Sequence, residues 1–364
     1  MHIFIIILIF LAILLVLVVS HEFGHFIIAK KSGIRVDEFS FGFPPKIFGK
    51  KIGETTYNFN AIPFGGYVKI FGENPDEESI SGPDSARSFV NKPKYIQAAV
   101  LLGGVTMNFL IAWLLLSIGF MSGMPTAVSN MPANAVVRDQ ALTITAITPN
   151  SPAKTAGLQP GDKIVLLTSG ADVTETPTLE SVSYFVKRHS TEPITVSYIR
   201  SGKFQEIDIT PEQNIINGGP GIGISAEVIG KVSLPVHQAV WKGLQFSLDL
   251  FKHMVKGFYE LIVGKTDIAS VSGVVGIVGA VGDATELGFI YLLYFTAFIS
   301  INLAVINLVP FPALDGGRLL FLLIEVVKGS RIKPQVANIF NFVGFMILIL
   351  LMLFVTYKDI IKII

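Results

Sequence analysis

The chain opens on an unbroken apolar run, residues 3–19, in which no polar position interrupts the pattern. A spanning helix needs about 20 predominantly apolar residues, so this run reads as a helix made to lie in hydrocarbon. Runs of the same character at 96–121, 287–309 and 339–357 bring the expected number of spans to four. The first run has no basic leading segment and no small-residue cleavage site after it. Its length also exceeds the apolar core of a secretory signal, about 7 to 15 residues, so it is kept as a span.

The pattern changes between the spans. From 141 to 209, short β-branched runs at 142–147, 164–167, 194–199 and 204–209 alternate with turns, which predicts a strand-rich segment of different character between the second and third spans. Further on, Trp241, Leu244, Leu248, Phe251, Val255, Phe258 and Ile262 recur at helical spacing opposite Lys242, Gln245, Asp249, Lys252, Lys256 and Glu260. That is an amphipathic helix for a membrane surface or a partner. The glycine-rich stretch 272–282 reads as a packed apolar loop. In the first inter-span segment, Gly65-Gly66 followed by alternating Tyr67, Val68, Lys69 and Ile70 reads as a hairpin turn leading into a strand. The expected division is therefore a first span (1–30), a cytoplasmic or re-entrant β segment (31–95) and a second span (96–121). An inserted domain (122–230), an amphipathic segment (231–286), a third span (287–317), and a loop with the fourth span (318–364) follow.

Orientation comes from Lys and Arg. Lys30, Lys31, Arg35, Lys46, Lys50, Lys51, Lys69, Arg87, Lys92 and Lys94 crowd the segment after the first span, and Lys328, Arg331 and Lys333 the last short loop. Both are expected in the cytoplasm, which leaves the inserted domain and both termini outside. Composition adds that only 15% of residues are charged while 51% are hydrophobic, with a mean hydropathy of +0.61, as for a membrane protein. The net charge of +1 excludes a strongly basic nucleic-acid surface. There are no cysteines, so any metal must be held by nitrogen and oxygen.

The candidate chemistry begins where the first apolar run ends, at His21-Glu22-Phe23-Gly24-His25. Histidines four apart on a helix lie on one face about 5.4 Å from each other, so both imidazoles can reach one zinc ion, with Glu22 beside it as the general base for an attacking water. Such residues are costly in hydrocarbon unless they are paired, face a cavity or work. A third ligand is sought among the other spans, and Asp315 stands out at the end of Asn307-Leu308-Val309-Pro310-Phe311-Pro312-Ala313-Leu314-Asp315-Gly316-Gly317, at the same expected depth. Pro310 and Pro312 take partners from the carbonyls of Ile306 and Leu308, so the helix must break or kink there. His2, His189, His237 and His253 have no neighbouring ligand pattern and are expected to be ordinary polar residues.

At these residues the chain resembles the site-2 protease family of zinc intramembrane proteases, within it the bacterial RseP-type members. The matching pieces are His21 to His25 with Phe26, Ala29-Lys30 and Gly33-Ile34, then Glu38-Phe39-Ser40-Phe41-Gly42-Phe43, Pro63-Phe64-Gly65-Gly66-Tyr67-Val68-Lys69, and Asn307 to Gly317. The resemblance implies one zinc ion on His21, His25 and Asp315, the base at Glu22, and cleavage of single-pass membrane proteins such as anti-sigma factors or signal-peptide remnants in a bacterial cytoplasmic membrane. It implies substrate contacts at Asn302, Asn307, Pro310 and Pro312, and at Gly65, Gly66, Tyr67 and Val68, where an edge strand can pair with unwound substrate. One departure is visible: the family's second span usually carries Gly-Pro-x-x-Asn, and here Gly104-Val105-Thr106-Met107-Asn108 lacks the proline. Residues 150–164, beginning Asn150-Ser151-Pro152-Ala153 and ending Gly161-Asp162-Lys163-Ile164, look like the signature of bacterial PDZ domains. With one copy, peptide binding and exclusion of bulky substrates both stay open.

The expected architecture is thus a multi-pass α-helical membrane protein with four spans, a membrane-associated β-hairpin and an inserted extracytoplasmic α+β PDZ domain. The partners expected are the bilayer, membrane-protein substrates and a peptide at the PDZ domain. A non-proteolytic scaffold that binds partners through the PDZ domain is the rival, and bound zinc separates the two.

Overall fold

The computed structural model describes residues 2–129, 131, 132, 134–200, 202–216, 219–265 and 273–363. It divides into two compact units, residues 1–118 with 240–364, and residues 119–239.

Helix α1 (His2–Lys31) carries the first apolar run and stops at Gly33, whose φ of 66° ends the helix in the left-handed region open to glycine. Strands β1 (Val36–Ile52) and β2 (Thr55–Ile70) follow. Each is bent, so the stem of β1 pairs on both sides: Phe39 lies opposite Tyr57 and also opposite Val68. The result is four antiparallel segments in which 66–70 forms one edge. The turn of this hairpin lies at Gly53, with φ 63°, and not at Gly65-Gly66 as the dipeptide suggests. Those two glycines sit within β2 because a Cβ on Gly65 would meet Phe43 and Val18, and one on Gly66 would press on the Ser40 carbonyl. After a short helix α2 (Glu77–Ser81), α3 (Lys94–Ser122) forms the second long apolar helix. A shared apolar core of Ala29, Ile34, Val36, Phe39, Val68, Val100 and Leu101 fixes the edge strand between α1 and α3.

The second unit is a sheet of strands β3 (Met124–Ala127), β4 (Val136–Ile147), β5 (Lys163–Ser169), β6 (Asp172–Glu175), β7 (Ile194–Arg200), β8 (Lys203–Ile209) and β11 (Ile224–Ser233). Their order is β3-β11-β4-β5-β7-β8, with β6 on β5 and a separate β9 (Glu212–Ile216) and β10 (Gly219–Gly221) pair. Helices α4 (Pro152–Ala156) and α5 (Leu179–Arg188) cover it, α5 being capped by Thr178 and Ser181. Leu142, Ile144, Leu158, Ile164, Leu167, Val182, Phe185 and Ile194 close an apolar core.

Returning to the first unit, α6 (Val236–Ile262) is amphipathic, but the face it packs differs from the expected stripe. Gly243 and Ser247 are buried while Trp241, Leu248, Val255 and Ile262 stay exposed. A Cβ on Gly243 would strike Ser117, so the glycine sets how closely α6 meets α3. The stretch expected to be a packed loop is a helix, α7 (Val274–Leu287), with Ser272 outside the described residues. Low glycine propensity is overridden there by packing: Val281 joins Phe10, Ile13, Leu17 and Ile299 in a core, and the buried Asp359 accepts a hydrogen bond from the Gly276 N–H at 2.9 Å.

Helix α8 (Phe289–Leu308) ends before the two prolines, and Asp315 does not close that span but opens a further helix, α9 (Asp315–Lys328). The expectation of a third span reaching 317 is corrected accordingly. The chain needs 309–314 to turn, and a carboxylate is favoured in a first helical turn. Helix α10 (Pro334–Ile363) completes the fold. Among the described residues, α1, α3, α8 and α10 are long and apolar enough to cross a membrane.

Candidate metal centre

Three helices meet at one polar point. His21 and His25 lie on α1, four residues apart, with ring centroids 4.7 Å apart. Asp315, the first residue of α9, reaches both: its Oδ2 is 3.1 Å from His21 Nε2 and 3.2 Å from His25 Nε2, and the two nitrogens are 3.2 Å apart. Three ligands held tetrahedrally at about 2.0–2.1 Å from a zinc ion lie about 3.3 Å from one another. The triangle therefore has the dimensions zinc demands. Both histidines are buried, and the buried Asp315 Oδ2 has no hydrogen-bond partner, an orphan that a cation would satisfy.

The surrounding groups fix which nitrogens face inward. His25 Nδ1 lies 2.8 Å from the Val100 carbonyl, so it must carry the proton and donate, leaving Nε2 with a free lone pair. His21 Nδ1 is 3.4 Å from the side-chain amide of Asn108, a fully buried residue of α3. For Nε2 to ligate a metal, Nδ1 must donate, so Asn108 has to turn its oxygen toward the ring. The two ends of an amide interchange by a half rotation. Oδ1, otherwise buried without a partner, then gains one. Ser300 Oγ of α8 donates to the Asn108 backbone carbonyl at 2.7 Å and ties this support to a fourth helix.

Glycines bring the helices this close. A Cβ on Gly104 would come within 2.5 Å of His25 Nε2 and 2.6 Å of His21 Cε1, and Gly24 and Gly103 meet backbone to backbone. On the other side, Gly316 and Gly317 press against the 308–312 backbone. Five glycines thus let side chains meet where bulkier residues would hold the helices apart.

Glu22 lies beside this triangle on α1, and its Oε2 accepts the Val68 N–H at 3.0 Å. That places the edge of β2 against the candidate base. Tyr67 donates its hydroxyl hydrogen to Glu38 at 2.9 Å, and Val68 buries its side chain in the shared core. Arg318, one turn after Asp315, is ion-paired to Glu73. Asn302 lines a cleft of about 370 Å3 with Leu250, His253, Met254, Phe258 and Phe298, facing α6, and its Oδ1 is buried without a partner. Asn307 and the two prolines lie at the break before α9. In the second unit, Leu179, Val182, Val186, Ile222 and Ile224 line a groove of about 390 Å3 between α5 and β11. His189, just past the end of α5, is held between Asp172 and Glu192, at 3.1 Å each.

Asn108, Ser300, Gly104 and the Val68 N–H were not singled out from the sequence. Asn108 was within reach, since the Gly104 to Asn108 stretch was noticed for its missing proline. The Val68 N–H was not, because a backbone donor leaves no mark in a side-chain pattern.

Comparison with known proteins agrees on one family. The model of peptidase family M50 matches residues 9–351. A Clostridium acetobutylicum protein with a provisional zinc metalloprotease name is 32% identical over 346 residues, covering 95% of this chain and 94% of that protein. A Clostridium perfringens protein, similarly named, is 34% identical over 346 residues, covering 95% of each. The zinc metalloprotease RasP of Geobacillus kaustophilus is 29% identical over 426 residues, again with 95% of each covered.

Proposed function

The chain belongs to peptidase family M50, the site-2 protease family of zinc metalloproteases, and we propose that it cleaves single-pass membrane proteins at the site formed by His21, His25, Asp315 and Glu22. The observation that carries this is the triangle of Nε2, Nε2 and Oδ2 with sides of 3.1 to 3.2 Å, joined to a carboxylate on the same helix. Bound zinc supplies Lewis-acid polarisation and eases deprotonation of water at that point. The chain's own residues do the rest. His21, His25 and Asp315 hold the ion, Asn108 and the Val100 carbonyl orient the two rings, and Glu22 takes the proton of the attacking water and passes it to the leaving nitrogen. A scaffold would need none of these together.

Substrate enters as an unwound segment. The edge at Gly65, Gly66, Tyr67 and Val68, where the Val68 N–H is held by Glu22, supports strand addition beside that carboxylate, giving the exposed amides of the substrate partners in a low-dielectric setting. Asn307, Pro310 and Pro312 border the same break in α8, whereas the position of Asn302 against α6 supports a role nearer the entry of the substrate helix. Anti-sigma factors and signal-peptide remnants are suitable substrates, being single spans already shortened outside the membrane. The lysine-rich segments support a bacterial cytoplasmic membrane with the site toward the cytoplasm and the second unit outside. That unit serves as a PDZ domain, its α5–β11 groove being apolar and open to an extended peptide.

Glu22→Gln tests the assignment. The amide keeps the shape but cannot accept the proton, so zinc content should match wild type while cleavage of a model transmembrane peptide falls about a hundredfold to ten-thousandfold. Retained peptidase activity in the zinc-loaded variant would overturn the role of Glu22.

A further inference from the structure

The six residues between α8 and α9 decide where Asp315 points, and their conformation is held from an unexpected side. Ala313 has φ 73°, a left-handed backbone that a residue with a Cβ rarely adopts. Its N–H donates to Oδ1 of Asn341 on α10, at 3.3 Å. One turn further along the same helix, Gly344 is buried against Pro312, and a Cβ there would lie 2.8 Å from the Pro312 carbonyl oxygen. Two neighbouring positions of α10 therefore grip two consecutive residues of the turn, two and three positions before the ligand. Leu314 N–H donates to the Phe311 carbonyl at 3.2 Å and Gly317 N–H to the Leu314 carbonyl at 3.0 Å, so the turn passes directly into the first turn of α9.

From this we infer that Asn341 is a positioning residue for the metal centre: it holds Ala313 in its left-handed conformation and thereby aims Asp315 at the two histidines. The inference rests on Asp315 being a zinc ligand. An alanine would otherwise leave this region of backbone space, and the carboxylate that follows would swing with it. The amide acts at a distance on a ligand it does not touch, in the way that groups behind metal ligands commonly set affinity by about ten- to a hundredfold.

The test uses the full-length purified protein and zinc itself, titrated against a chelator, together with kcat and KM on a model transmembrane peptide. Asn341→Ala should release zinc about tenfold more readily and lower kcat more than it changes KM. Adding Ala313→Gly to Asn341→Ala should restore most of the retention, because glycine adopts positive φ without steric penalty and no longer needs the amide. Were Asn341 merely packing α10 against its neighbours, a change at Ala313 would not rescue it. Wild-type zinc retention in Asn341→Ala, or no rescue in the double variant, would overturn the inference. Asp315→Ala run alongside separates the two levels. If it also keeps its zinc, the ligand assignment fails; if it loses zinc while Asn341→Ala does not, only the positioning role fails.

Discussion

Two buried carboxylates, one in each unit, show two ways of holding a charge. In the second unit Asp162 is surrounded by donors: Arg200 meets it through Nε and a terminal nitrogen, both at 2.7 Å, and the Gln159 N–H donates at 2.8 Å. Donating these bonds to Asp162 holds the Arg200 guanidinium above its usual pKa. Both oxygens of the carboxylate are met by donors, and Asp162 ties the start of β5 to the end of β7. In the first unit Asp315 Oδ2 faces two imidazole nitrogens, and the Val100 carbonyl commits one of those rings to turn a lone pair toward it. Once His21 is turned the same way, three electron-rich atoms within 3.2 Å of one another repel unless a cation lies among them. A carboxylate met by donors serves the architecture, and one aimed at lone pairs is the one we propose as a metal ligand.

This contrast can be pressed from both ends. Asn108→Ala removes the group that orients His21, and should lower zinc affinity and peptidase activity about ten- to a hundredfold, read by chelator competition and peptide cleavage. If affinity stays at the wild-type value, His21 is oriented by something else. Asp162→Ala should do the reverse. Leaving Arg200 and the Gln159 N–H without their acceptor should destabilise the second unit by about 2 kcal/mol, measured by denaturation, with zinc content unchanged. A drop in bound zinc would show that the two carboxylates are not independent.

The smallest effect concerns Glu54, at the hairpin turn, whose carboxyl is held below its usual value by Lys30 and then by Arg87. A lowered folded pKa contributes stability that is present above the unfolded value of about 4.3 and is lost as pH falls through the folded one. Wild type should therefore be protected against proteolysis of the hairpin relative to Glu54→Gln at neutral pH, by less than about 1 kcal/mol since the pair is partly exposed. The difference should vanish in acid; protection that persisted there would contradict the ion-pair origin.

What the sequence displayed, and what it hid, follows the same division. Long apolar runs and the spacing of His21 and His25 are local, so the four long helices and one half of the site were legible. Asp315 stood out as a carboxylate at the expected depth of the histidines, but its place at the head of α9 did not. A helix of 14 residues after a break resembles a loop plus a span when only hydropathy is counted. The α7 helix was missed because glycine lowers propensity, while the packing against α1 and the Asp359 hydrogen bond that override it come from residues far along the chain. Gly65-Gly66 misled for a related cause: glycine marks both turns and close approaches, and here it marks the second.

The most direct test of the account is zinc K-edge absorption on purified wild type and Asp315→Ala, with metal content measured on the same samples. Wild type should bind one zinc per chain, coordinated by two imidazole nitrogens and a carboxylate oxygen. Asp315→Ala should lose most of the metal, and what remains should lack the carboxylate. An Asp315→Ala protein with full zinc occupancy and an unchanged coordination shell would contradict the centre described above.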